Sequence, residues 1–331
     1  MDARTLGALA LLSLTGCSMV GMAGRRIESQ YEREGMAADV AELGPDTVHY
    51  WHGGGESGNE RETEDGSGRD VDAHPVLLVQ GFGASAKWQW VLQVESFAAT
   101  RRVIMPDLLW FGESRSTDAD YSLGHQVRAM VALLDRLGEG RVDVVGISYG
   151  GLVAYELASA FPERVRRLVI VDSPGRAYTR ADYRALCDRF EVDDFADVLL
   201  PADADGMRRL LAVGVEQEVH APGFLLRQAR EELFIEQADQ KRAMIEALLR
   251  DLEELRSRPD PRARDTLLVW GRDDPIFPLE LGERLAQRLG PGVRLEVIDH
   301  ARHTPNFEWP HRFDALILQF LDMPCSCDPR T

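Results

Sequence analysis

Six short runs of almost uninterrupted apolar residues recur along the chain with helical patterns between them: Val76 to Val79, Arg102 to Met105, Val142 to Val145, Leu168 to Val171, Leu267 to Trp270 and Leu295 to Ile298. A strand with one wet face alternates apolar and polar side chains, whereas a strand apolar at nearly every position has both faces covered. The pattern therefore predicts an α/β fold with a doubly wound, mostly parallel sheet under helices on both sides. Sites in such sheets lie beyond the carboxyl ends of the strands. Before these six, Thr47 to Trp51 reads as another short strand. One region breaks the alternation. From about Arg176 to Arg262 there are only helical patterns, among them Gly206 to Val215, Phe224 to Ile235 and Lys241 to Leu255, so an inserted helical lid is expected there. The core then falls into two parts, residues 47–175 and 263–323, with a polar tail at 324–331.

Composition excludes several classes. With 44% hydrophobic residues the chain is not disordered throughout, and 4 cysteines in 331 residues do not make a disulfide scaffold. The 55 acidic against 38 basic residues give a formal net charge of −17, which argues against binding nucleic acid. That charge is concentrated. Residues 56–72 hold seven acids and two bases, and residues 176–262 hold nineteen and fourteen. A preference for neutral over anionic acyl substrates follows as an expectation.

At the amino terminus, Thr5 to Leu14 is an apolar run of about ten residues, too short to span a membrane. It reads as the core of a signal peptide. The following Leu14-Thr15-Gly16-Cys17 resembles the lipobox of bacterial lipoproteins. The resemblance implies cleavage after residue 16, a lipid on Cys17, and attachment to a membrane of the bacterial cell envelope. Acyl chains contribute about 0.8 kcal/mol per buried CH₂, so two or more hold a protein without a spanning helix. Residues 17–46 are then expected to be a polar tether with a helical patch near Ile27 to Met36.

Gly146-Ile147-Ser148-Tyr149-Gly150 follows the run Val142 to Val145 and precedes a helical pattern, the context of a nucleophile elbow. The strand-to-helix turn is so tight that side chains two positions either side of the serine would collide, hence the two glycines. A serine hydroxyl needs a base, and the base needs an orienting acid. Both follow in chain order: Gly271-Arg272-Asp273-Asp274-Pro275 after one apolar run and His300 to Pro310 after the next. Together with Gln80-Gly-Phe-Gly83 and Pro106 to Ser114, these segments resemble the α/β-hydrolase superfamily, and most closely its lipase- and esterase-like branch, over about Thr47 to Leu321.

The resemblance implies Ser148 as nucleophile, His303 as general base and then acid, and Asp274 as the orienting carboxylate. Asp273 and, third, Asp172 are alternative acids. Backbone N–H groups of Phe82 and Tyr149 would form the oxyanion hole. Gln80 stands where the family usually has His and is expected to hydrogen-bond across the loop. His52-Gly53-Gly54-Gly55 matches another esterase branch's oxyanion motif but follows the wrong strand and reads as a turn. His300, His311, His125 and His220 read as ordinary polar residues. Trp88, Trp90 and Trp110, with Leu225, Leu226, Leu233 and Phe234 of the lid, are candidates for an acyl pocket. Cys187 reads as a buried residue, and Cys325 and Cys327 lie in the polar tail. Neither metal-ligand spacing nor a cofactor motif appears.

The resulting expectation is a serine hydrolase acting on small-molecule or lipid carboxylic esters through an acyl-enzyme. The same three residues also serve carbon–carbon, amide and thioester hydrolysis and cofactor-free peroxidation in this superfamily, and a non-catalytic lipid-anchored binding module is the alternative from another class. Ser148 disfavours the branches with an aspartate nucleophile.

Overall fold

The computed structural model describes residues 18–55, 74–217, 220–261 and 265–323. Its sheet is built from β1 (Met36–Leu43), β2 (Asp46–Gly53), β3 (Val76–Val79), β4 (Val103–Pro106), β5 (Arg115–Ser116), β6 (Val142–Ile147), β7 (Val165–Val171), β8 (Thr266–Gly271) and β9 (Arg294–Ile298). The order is β1-β2-β4-β3-β6-β7-β8-β9, with β5 on β2. From β4 to β9 every neighbour is parallel, while β2 runs antiparallel to β1, β4 and β5. The chain leaves β3 toward β4 and returns to the other side of β3 with β6. The carboxyl ends of β3 and β6 therefore flank the switch point of the sheet.

Two layers of core explain the uninterrupted apolar runs. Leu77, Val79, Ile104, Val144, Leu168 and Ile170 face one cluster, and their alternating neighbours Val76, Leu78, Val103, Val145, Val169 and Val171 face the other. Helices α4 (Leu123–Arg136) and α5 (Tyr149–Ala160) cover the first face through Met130, Leu133, Val153 and Leu157. The second face is covered by α3 (Val94–Ala98), beyond the short α2 (Ala86–Gln89), and by α13 (Pro310–Leu321), through Val94, Phe97, Phe313 and Ile317. Each such side chain taken from water contributes on the order of 1.5–3 kcal/mol.

The expected tether is corrected over the described residues 18–46. Helix α1 (Met19–Arg33) lies on the body with Met19, Val20, Gly24 and Tyr31 buried. The Tyr31 ring meets Trp51 edge-on at 5.1 Å, and its hydroxyl donates to the Lys87 carbonyl at 2.8 Å. Residues 36–43, part of the expected tether, pair along their whole length with β2. The expected signal-peptide segment, Cys17, the acidic residues 56–72, Cys325 and Cys327 lie outside the described residues.

Between β7 and β8 the chain is helical: α6 (Arg180–Phe190), α7 (Ala196–Leu199), α8 (Ala204–Gly214), α9 (Gly223–Leu233) and α10 (Ala238–Ser257). Helix α9 packs against α8 and α1, and the Met19 amide donates to Gln228 Oε1 at 3.2 Å. Among the described residues, no helix is long and apolar enough to cross a membrane. The remaining elements are α11 (Leu279–Leu289) after β8 and α12 (Pro305–Glu308) after β9.

Candidate active site

Ser148 follows β6 at φ 55° and ψ −122°, a left-handed backbone that lifts its side chain off the end of the sheet. A Cβ at Gly146 would overlap Ala154 Cβ, 2.7 Å away, and one at Gly150 would lie 2.5 Å from the Val79 carbonyl oxygen. The two glycines are thus fixed by the close approach of strand, turn and helix. Helix α5 begins at Tyr149 and points its positive end at the serine.

Asp274 and His303 are carried in by the turns after β8 and β9. Ser148 Oγ lies 2.8 Å from His303 Nε2, and His303 Nδ1 lies 2.8 Å from Asp274 Oδ2. The carboxylate only accepts, so Nδ1 carries hydrogen and Nε2 is left to accept from the serine. Asp274 Oδ1 in turn accepts the amides of Ile276 at 2.8 Å and Phe277 at 3.1 Å, which hold the carboxyl group in place. Phe277 also packs edge-on to the imidazole at 5.6 Å. Asp273 is exposed, with its backbone engaged to Ala301, so Asp274 is the partner of the pair.

The loop bearing His303 is docked on the helical insert. Thr304 donates its amide and hydroxyl to the Gly214 carbonyl at 3.0 and 2.6 Å, and Arg302 Nη1 donates to the Ala212 carbonyl at 2.6 Å. Glu308 bridges the same junction, accepting the amides of Arg302 at 2.6 Å and Glu216 at 2.5 Å. The carbonyls left over at the end of α8 are thereby satisfied by the loop of the histidine.

Phe82 lies in the turn after β3, where a Cβ on Gly81 would come within 3.1 Å of Ser148 Cβ. Its ring is fixed edge-on between Phe111 at 5.1 Å and Tyr149 at 5.9 Å. Among the described residues, neither its N–H nor that of Tyr149 is donated to a protein acceptor, so both are free for a developing oxyanion. Asp107 pins the helix that follows this turn by accepting the Ala86 amide at 2.7 Å. Gln80 departs from expectation: it is buried, and both side-chain amide atoms lack a partner among the described residues. The turn is held by backbone instead, through the Gly83 amide to the Gly81 carbonyl at 2.9 Å.

An apolar pocket of about 540 Å³ opens beside Ser148. It is lined by Phe82, Tyr149 and Leu152 from the core and by Tyr178, Leu186, Phe195, Ile245, Leu248 and Leu249 from the insert. The tryptophans singled out by sequence do not line it. Trp90 is buried near Phe313, and Trp110 meets the Tyr121 ring at 4.8 Å, tilted by 49°. Leu225, Leu226 and Leu233 of α9, and Phe234 just after it, are likewise absent from its lining, because α9 faces α8 and α1. The helical periodicity that would have found Ile245, Leu248 and Leu249 is plain in α10, but it does not say what the stripe faces.

The other candidates lie elsewhere. His52 and Gly53 end β2, and since Gly53 pairs with Val103 at the start of β4, that glycine run sits at the amino ends of the parallel strands, away from Ser148. His125 is buried against Asp46 at 3.0 Å, and the His300 carbonyl accepts the Trp309 indole N–H. Cys187 is a buried free thiol in the core of the insert. Among the described residues, no group of three or more His, Cys, Asp or Glu side chains is placed to hold a metal ion.

A serine, an imidazole and a carboxylate linked in that order beyond the carboxyl ends of a parallel sheet define a class of hydrolase. The chain belongs to the alpha/beta hydrolase fold family, whose model matches residues 74–310. A 2-hydroxymuconate semialdehyde hydrolase of Pseudomonas putida is 31% identical over 268 residues, which cover 76% of this chain and 88% of that one. Among solved structures, a membrane phospholipase A superimposes with a TM-score of 0.70 at 21% identity over 97% of this chain and 98% of its own. The 2-hydroxy-6-oxo-6-phenylhexa-2,4-dienoate hydrolase of Rhodococcus sp. strain RHA1 does so with 0.66 at 22% identity over 87% and 100%. At those identities the two structures speak for the fold.

Proposed function

We propose that the protein is a serine esterase that hydrolyses carboxylic esters with apolar acyl groups. Ser148 Oγ attacks the ester carbonyl carbon while His303 Nε2 takes the hydroxyl proton, and Asp274 holds the imidazolium that results. The carbonyl oxygen, now negative, is held by the N–H groups of Phe82 and Tyr149. His303 returns the proton to the departing alcohol oxygen, leaving the acyl group on Ser148. Water then repeats the attack with His303 as base, and the acid is released.

The observation that carries the ester reading is the pocket beside Ser148, whose walls are aliphatic and aromatic with no charged side chain. A neutral acyl chain fills such a space by giving up water, whereas a carboxylate entering it would lose hydration without a cation to receive it. A second reading, hydrolysis of a carbon–carbon bond on the same three residues, is supported by the Pseudomonas putida relative. The two separate in a direct comparison of p-nitrophenyl butanoate and octanoate with a 2-hydroxy-6-oxo-dienoate. The ester reading expects kcat/KM for the better ester to exceed that for the keto acid by about 100-fold or more; the reverse order assigns the carbon–carbon reaction.

Chain length tests the pocket itself. Leu249→Trp fills part of it and is expected to lower kcat/KM for the octanoate about 10- to 100-fold while the acetate changes little. Equal losses for both esters would place the acyl chain elsewhere.

We infer further that the enzyme works at a bacterial envelope membrane, reached through a lipid on Cys17. Support comes from the sequence Leu14 to Cys17, and from α1, whose first residues touch the helical insert. Cys17→Ala is expected to move the protein from the membrane to the soluble fraction. Unchanged fractionation would refute the anchor.

A further inference from the structure

The three linked residues leave one carboxyl group at the same end of the sheet unused. Asp172 directly follows β7, is fully buried, and sits at φ 42°, a left-handed backbone that a residue with a Cβ adopts at a cost. Its Oδ1 accepts the amide of Gly271 at 2.8 Å, the residue from which the turn carrying Asp274 departs. Its Oδ2 has no donor among the described residues, and the Asp274 amide bonds back to the carbonyl of that same Gly271 at 3.3 Å, so the two buried carboxyl groups are neighbours across one turn. The Asp274 oxygens are already committed to Ile276, Phe277 and His303. The charged groups bearing on Asp172 are Asp274, from the turn after β8, and Glu308, from α12, both acidic; His303, after β9, engages Asp274 from its other side. Two carboxylates this close in a dry site do not both ionise without a cation.

We propose that Asp172 and Asp274 share one proton, carried by Asp172, whose O–H donates to Asp274 and positions the carboxylate that orients His303. The pair rests on the role assigned above to Asp274, and Asp172 is a positioning residue, not a catalytic one. Holding the Gly271 amide alone needs only an acceptor oxygen, which asparagine or an ionised aspartate supplies equally. The proton is what distinguishes the pair.

Burial first, then the neighbouring Asp274, pushes the Asp172 carboxyl well above the usual carboxylate range. With the folded value raised, the folded state holds a proton that the unfolded chain has lost. The stability this contributes is present at low pH and is lost as pH rises from the ordinary carboxylate range toward the folded value.

Asp172→Asn keeps both an acceptor for Gly271 and a donor for Asp274 but cannot ionise. As pH is raised from the ordinary carboxylate range through neutrality, the wild-type Tm is expected to fall relative to that of this variant. The infrared spectrum of the wild type at neutral pH should show a protonated-carboxyl C=O stretch that Asp172→Asn lacks. Ester kcat/KM should be little changed in Asp172→Asn at neutral pH, and about 10- to 100-fold lower in Asp172→Leu, which offers neither donor nor acceptor. Parallel Tm curves, or no carboxylic-acid band in the wild type, would overturn the pair. Tm and the infrared band do not depend on turnover. If both behave as expected in a protein that cleaves no ester, the pair stands and the ester reading alone fails.

Discussion

Ser148→Ala should lower kcat for ester hydrolysis about a million-fold and leave the thermal midpoint close to that of the wild type. The size of the loss follows from the geometry. The Ser148 hydroxyl is the oxygen that His303 Nε2 faces at 2.8 Å, and it opens onto the apolar pocket. Without it, water would have to attack unassisted by a covalent step, and the rate left over would come from binding and from the N–H groups of Phe82 and Tyr149. Stability is spared because the variant removes one partly exposed oxygen and keeps the backbone at position 148. Hydrolysis and a melting curve on the same preparation check both halves. A variant retaining more than about one part in a thousand of the wild-type kcat would take the nucleophile away from Ser148.

Gly150→Ala should damage stability and catalysis together. A Cβ there would overlap the Gln80 carbonyl oxygen and lie 2.5 Å from that of Val79. Both are backbone atoms at the end of β3 and cannot swing aside as a flexible side chain would. Helix α5 must therefore move away from β3, at a cost of about 3 kcal/mol or more. For a chain of this size each kcal/mol lowers Tm by about 1–2 °C. The displacement also separates the amides of Tyr149 and Phe82, and losing such a donor costs about 100- to 1,000-fold in kcat. Gly83→Ala is the control, since a Cβ at Gly83 meets nothing within 4 Å. Similar melting curves and kcat values for the two variants would show that the contact at Gly150 yields without consequence.

Much of the site was legible because its chemistry demands particular residues at particular places. Glycines around Ser148, an aspartate three residues after Gly271 and a histidine after the last strand are local patterns, and the fold brings them together without further instruction. The parallel strands were legible for a related reason, since burial on both faces leaves an apolar run. Strand β1 carries no such mark. Met36–Leu43 is rich in Ala, Asp and Glu, mostly exposed at the sheet edge, and is a strand because β2 offers it a complete ladder of partners. Helix α1 was mistaken for a tether because its buried residues are few, and the decisive one, Tyr31, gains its place from Trp51 and the Lys87 carbonyl across the fold. The pocket walls were misread for the same reason: apolar spacing reports that Leu226 and Ile245 are both buried, but not that only one of them faces Ser148. Asp172 was visible as a carboxylate at a strand end, whereas its closeness to Asp274 depends on how β7 and β8 lie side by side.

The central claim is that Ser148 becomes covalently acylated during turnover, and stoichiometric labelling with an alkyl fluorophosphonate followed by peptide mass mapping tests it most directly. The expected result is one phosphonyl group per chain, located on the peptide bearing Ser148, with hydrolysis lost in proportion to labelling. Hydrolysis that persists when Ser148 is fully labelled, or a label carried by another residue with Ser148 unmodified, would contradict it.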